Sequence, residues 1–240
     1  MKRALILSIL WAALLPAQQR PVQTLPASSG DIRVTPIRHA SLMLEYGGKV
    51  IHVDPWSQGN YSGLPPADLI LITDIHGDHL DLKAIAQVKK ATTKILAPPA
   101  VQQRLAEAEV IGNGESRVWE GITVEAVPSY NLERGPQPGT QYHPKGRGNG
   151  YVLTLGGKRL YLSGDTECVA EVRQLKNIDA AFLCMNLPYT MPPEEAATCV
   201  RAFRPKVVYP YHCRGSDLKV FEGALKAEKG IEVRILDWYY

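Results

Sequence analysis

The run Leu69-Ile70-Leu71-Ile72-Thr73-Asp74-Ile75-His76-Gly77-Asp78-His79 constrains this chain more than any other stretch. Four consecutive aliphatic residues predict a strand buried in the core. That strand ends directly in two carboxylates and two imidazoles, Asp74, His76, Asp78 and His79. Ionisable groups at the end of a buried strand are costly unless they are paired or bind a metal. Ligands spaced along a rigid strand end are the start of a metal site.

The same arrangement recurs twice. Asp165 follows the strand 159–163 within Ser163-Gly164-Asp165-Thr166, and His212 follows the strand 206–211. Ligands brought from several strand ends to one edge are the architecture of an active site. Further strands are predicted at 41–46, 49–53, 94–97, 122–127, 151–155, 180–184 and 233–236. Gly47-Gly48 and Gly156-Gly157 supply hairpin turns. Helices are predicted at 82–90, 100–108, 169–175, 192–203 and 218–229, with Thr190 as a cap for the fourth. Hairpins come first and β/α units later, in two similar halves, which predicts two mixed sheets face to face with helices outside. The loop 131–150 is rich in Gly, Pro, Lys and Arg, and a loop of that length in a compact domain is usually functional.

With these motifs in order, residues from Val34 onward resemble a metallo-β-lactamase-fold hydrolase. The pattern is His-x-His-x-Asp-His after a strand, a mid-chain His, a Gly-Asp-Thr-type Asp and a late His. The opening His39-Ala40-Ser41 to Val53-Asp54-Pro55-Trp56 further resembles the branch of ascorbate phosphate lactonases and N-acyl phosphatidylethanolamine phospholipase D. The resemblance implies a mixed α/β, four-layer αββα sandwich over 31–240.

Carried over position by position, Asp78, His79, Asp165 and His212 match one metal site of a pair, and it is complete. The other departs from the pattern: Asp74 stands where the first His belongs, and only His76 is kept. The mid-chain His is replaced in Val127-Pro128-Ser129-Tyr130-Asn131 by Asn131, with His143 in the long loop as a substitute ligand. Three readings stand. Asp74, His76 and His143 bind a second metal, whose oxygen ligand favours Mn or Fe beside Zn. Alternatively the protein carries one metal, or Asp74 is an acid/base group beside one metal.

A metal lowers the pKa of a water toward neutrality, giving hydroxide that attacks a carbonyl or phosphoryl centre. The resemblance therefore implies a metal-dependent hydrolase of an ester, lactone, amide or phosphodiester. Asp78 is the expected catalytic residue, orienting the nucleophile and passing a proton to the leaving group. Lys145 and Arg147, with Arg134, form a candidate clamp for an anionic substrate group. Tyr189, past another strand end, is a candidate oxyanion donor or a packing residue. His39 is expected to support the site from behind, Asp54 to do so or to make a turn, and His52 to be structural. No Gly-x-Ser-x-Gly element is present, so no serine nucleophile is implied.

Export is expected from the first residues. Met1-Lys2-Arg3 precedes an apolar run to Leu15, and Pro16-Ala17 ends it, the pattern of a secretory signal peptide over 1–17. A polar leader, 18–30, is expected to be flexible, and the mature protein periplasmic or secreted, without a membrane span. Formal net charge is +3, and loss of Lys2 and Arg3 lowers it to about +1. Such a balance excludes a nucleic-acid partner and leaves a small-molecule substrate. Of the four cysteines, Cys184 and Cys199 are expected to be buried free thiols. Two rival functions remain: a non-catalytic metal-binding protein and an iron-dependent redox member of the same fold.

Overall fold

The computed structural model describes residues 20–239, so the expected signal segment lies outside the described residues. Two seven-stranded sheets are each built in chain order. The first holds β1 (Gln23–Leu25), β2 (Ile32–Arg38), β3 (Ser41–Tyr46), β4 (Lys49–Val53) and β5 (Ala67–Leu71). After α1 (Leu82–Val88) it continues with β6 (Lys89–Ala97) and, beyond α2 (Pro99–Gln102), ends at β7 (Glu109–Val110). The second holds β8 (Ser116–Trp119), β9 (Ile122–Ser129), β10 (Gly148–Leu155) and β11 (Lys158–Leu162). Then α3 (Ala170–Arg173), β12 (Ala180–Cys184), α4 (Pro193–Phe203), β13 (Val207–Tyr211), α5 (Leu218–Leu225) and β14 (Glu232–Val233) complete it.

Each sheet is a hairpin meander continued by parallel strands. β2 to β4 are antiparallel and β4 to β7 parallel; β8 to β11 are antiparallel and β11 to β14 parallel. Both two-glycine turns have positive φ at each glycine, 57° and 74° at Gly47-Gly48, 53° and 77° at Gly156-Gly157. That conformation matches the strand twist and suits glycine.

The aliphatic run has a direct cause in this layering. Leu69 and Leu71 face the core between the sheets, whereas Ile70 and Ile72 join Ile85 and Val88 of α1 beneath the first sheet. On the far side, Phe203 of α4 meets Tyr161 of β11 edge-to-face. The chain is thus the four-layer sandwich expected.

Several local expectations are corrected. Residues 20–30 are not a flexible leader: β1 pairs with β2, Leu25 is buried, and Arg20 donates to Asn60 O at 2.8 Å. The second helix, expected over 100–108, is a single turn. Thr190 does not cap α4, whose first flanking residue is Pro192; its hydroxyl instead accepts from Asn186 N–H at 2.8 Å. Cys199 is no free thiol. It forms a disulfide with Cys168, while Cys184 is buried and free as expected.

Candidate metal centre

The parallel strands of both sheets end at one edge, and there the expected ligands meet. The turn after β5 carries Asp74 to His79, the turn after β11 carries Asp165, and the turn after β13 carries His212. Within it, Asp165 lies 3.3 Å from His79 Nε2, 3.2 Å from His212 Nε2 and 3.1 Å from His143 Nε2. Asp78 Oδ2 lies 3.3 Å from His212 Nε2 and 3.8 Å from His79 Nε2.

Each histidine is aimed by a partner on its other nitrogen. His79 Nδ1 meets Asp54 Oδ2 at 2.8 Å, His212 Nδ1 meets Asn186 Oδ1 at 2.9 Å, and His143 Nδ1 meets Asn131 Oδ1 at 2.7 Å. Those oxygens only accept, so Nδ1 carries the hydrogen in all three rings. With Nδ1 so engaged, the Nε2 of each ring is directed at Asp165, the orientation that metal-binding histidines show. Asn131 therefore stands behind His143, which the long loop brings into the site at the place the sequence marked as altered.

Asp54 is itself fixed by Thr73, whose N–H and hydroxyl donate to it at 2.8 Å and 2.6 Å. His39 Nε2 lies 3.5 Å from Asp78 Oδ2, and its Nδ1 lies 2.7 Å from the Tyr239 hydroxyl. Burial pushes His39 down to about 4, so it is neutral near pH 7.

The ligand set fits a divalent metal. Among the described buried side-chain atoms, His79 Nε2, His143 Nε2 and Asp165 Oδ1 have no hydrogen-bond partner, and all three point into this nest. Unpartnered buried polar atoms are rare without a reason, and a cation supplies one. Burial opposes ionisation of Asp165, but the surrounding His212, His79 and His143 rings outweigh it and hold the carboxyl well below the usual range. Burial likewise opposes a charged His79, yet Asp165, Asp78 and Asp54 raise its pKa well above the ordinary value. Both directions express one demand for positive charge among these carboxylates. His79, Asp165 and His212 form one group of converging ligand atoms, and Asp74, His76 and His143 form another.

A cleft of about 820 Å³ opens over the ligands. Its walls include Trp56, Tyr142, Leu187, Tyr189 and Arg214. The expected anionic clamp is not assembled. Lys145 Nζ points to Glu171 at 2.9 Å, Arg134 pairs with Glu195 at 2.7 Å, and Arg147 pairs with Asp74 at 3.0 Å. None of the three lines the cleft. Arg214, overlooked in the sequence, does line it, with no carboxylate beside it among the described ion pairs. Its position two residues after His212 was the available signal.

Comparison with known proteins identifies the family. Residues 33–212 match the family model described as a beta-lactamase superfamily domain. A UPF0173 metal-dependent hydrolase of Pelotomaculum thermopropionicum is 31% identical over 224 residues, covering 85% of this chain and 96% of the relative. One from Thermus thermophilus is 32% identical over 192 residues, covering 75% and 83%. A crystal structure from Parabacteroides distasonis, titled as an inferred metal-dependent hydrolase, has a TM-score of 0.85. It is 43% identical, and the match spans 91% of this chain and 99% of that one.

Proposed function

This chain belongs to the metallo-β-lactamase superfamily of metal-dependent hydrolases, and from that membership we propose that it cleaves a small ester, lactone or phosphodiester using a metal held by Asp78, His79, Asp165 and His212. The single observation carrying the ligand assignment is the unpartnered pair of buried atoms His79 Nε2 and Asp165 Oδ1, on which His212 Nε2 also converges. When bound, the metal supplies Lewis acidity and lowers the pKa of water. Nitrogen and carboxylate donors in this ratio suit zinc, with manganese or iron as the alternatives.

The protein's own residues do the rest. Asp165 and the three rings hold the charge in place. Asp78, whose side chain is 29% exposed toward the cleft, is placed to orient the attacking water and to carry its proton to the leaving group. His39, neutral and bonded to Tyr239, holds Asp78 in that orientation. Tyr189 stands at the cleft wall as a candidate donor to substrate oxygen. Arg214 gives the cleft its one free guanidinium among the described lining residues and favours a substrate with a carboxylate or phosphate. The His39-Ala40-Ser41 and Asp54-Pro55 elements support the phosphate-ester and lactone side of this range.

We further propose export to an oxidising compartment. The basic-apolar N-terminal run supports it, and so does the Cys168–Cys199 disulfide, a bond that persists outside the reducing cytosol.

The test is a panel of anionic lactones, carboxylic esters and phosphodiesters assayed with the zinc-loaded protein and with Asp78→Ala. Turnover on one class, lost in Asp78→Ala with the far-ultraviolet spectrum unchanged, is expected. Equal rates in both proteins would remove Asp78 from the mechanism.

A further inference from the structure

We infer that the ion pair of Asp74 and Arg147 takes the place of a second metal, so that the chain carries one metal ion and a fixed guanidinium in the adjoining position. The inference rests on the ligand assignment proposed above.

By ligand count alone, Asp74, His76 and His143 would serve a second ion, with donor atoms within 4.8 Å of one another. Charge and lone pairs argue otherwise. Arg147 Nε donates to Asp74 Oδ1 at 3.0 Å and Nη2 donates to Asp74 Oδ2 at 3.0 Å, a bidentate fork on a carboxylate that is almost wholly buried. Oδ2 also meets His76 Nδ1 at 3.0 Å. Asp74 is thereby neutralised, and its oxygens are largely committed. Nη2 lies 3.4 Å from His76 Nε2, so the fixed charge borders the second ligand as well. Arginine does not deprotonate in a protein, so this charge cannot be shed to admit a cation. The third ligand, His143, is turned toward Asp165 at 3.1 Å.

The backbone builds the pair. Arg147 N–H donates to Pro144 O at 3.2 Å, which turns the chain into β10 at Gly148. A Cβ at Gly148 would stand 3.1 Å from Thr73 O and 3.3 Å from Asp74 Oδ1. Glycine there lets β10 start against the Asp74 turn and sets Arg147 within reach of the carboxylate. The substitution of a carboxylate for the expected histidine and the presence of this arginine are then one feature.

The experiment is zinc stoichiometry, measured by calorimetric titration of metal-stripped protein and by elemental analysis after gel filtration. Wild type is expected to retain one zinc per chain. Arg147→Met, which keeps the length and removes the charge, is expected to retain two, and adding Asp74→Ala to it returns the value to one. Two zinc ions in wild type would overturn the inference and leave the hydrolase reading standing. One zinc in a natively folded Arg147→Met would also overturn it, because the guanidinium would not be what excludes the ion. No zinc in wild type would sink both. Should Arg147→Met not fold, the wild-type count decides: one zinc per chain supports the inference and two refute it.

Discussion

His79 and Asp54 share a 2.8 Å contact between side chains that are both fully buried. The pair turns the Nε2 of His79 toward Asp165 and fixes its tautomer. Such outer partners typically contribute 10- to 100-fold to metal affinity. Asp54→Ala is therefore expected to weaken zinc binding by roughly 10- to 100-fold, read by competition with a chromogenic chelator. An unchanged affinity would mean that packing alone aims the ring.

Arg214 is predicted to act on substrate binding rather than on the chemical step. A hydrogen bond to a charged group is worth about 1.5–3 kcal/mol, so Arg214→Ala should raise KM for an anionic substrate roughly 10- to 100-fold. The value of kcat should change little, and a neutral ester of the same size should be handled alike by both proteins. A loss confined to kcat would contradict the assignment.

The Cys168–Cys199 bond closes a span of 31 residues and ties the turn carrying Asp165 to α4. Constraining the unfolded chain over such a span stabilises the fold by about 2–4 kcal/mol. Cys199→Ser is expected to lose that much in urea unfolding, and a reductant should destabilise wild type to the same level. A reductant effect that persists in Cys199→Ser would point to another cause.

His52 predicts part of the acid sensitivity. Burial pushes it down to about 4 from an ordinary 6.5, with Nε2 bonded to Pro65 O at 3.0 Å and Nδ1 unpartnered. The unfolded chain takes up this proton near pH 6.5 and the folded chain only near pH 4. The unfolded state thus binds more protons across that window, and stability falls as pH drops through it. Wild type is expected to lose about 2 kcal/mol from this group between pH 7 and 4.5. His52→Gln, less stable at pH 7, should show a correspondingly shallower acid decline in urea unfolding. An identical decline would assign it to the carboxylates instead.

What was legible in the sequence was local in origin. Leu69 to Ile72 announced a doubly covered strand because both faces of β5 are packed. Asp78, His79, Asp165 and His212 were visible because each stands immediately after a strand. The rest depended on partners distant along the chain. Nothing local to Arg147 marks it as anything but a basic loop residue, because its partner, Asp74, lies 73 residues away. Lys145 was claimed in the same way by Glu171, and Cys199 by Cys168. His143 was placed by the path of 131–150, which composition marks as important without tracing. The second helix ends at Gln102 because the apolar residues beyond it, Leu105 and Ala108, reach the core from separate turns.

The ligands come from both halves of the molecule. Asp78 and His79 belong to the first sheet's turns, and Asp165 and His212 to those of the second. An ion bound there adds a cross-link between two layers that packing, the Asp74–Arg147 pair and hydrogen bonds such as Asn149 N–H to Thr73 O also join. Its binding energy is therefore shared by both layers, so neither sheet can peel away without releasing it. Filling the site should make unfolding more nearly all-or-none, and stripping it should let the two sheets lose order in separate steps.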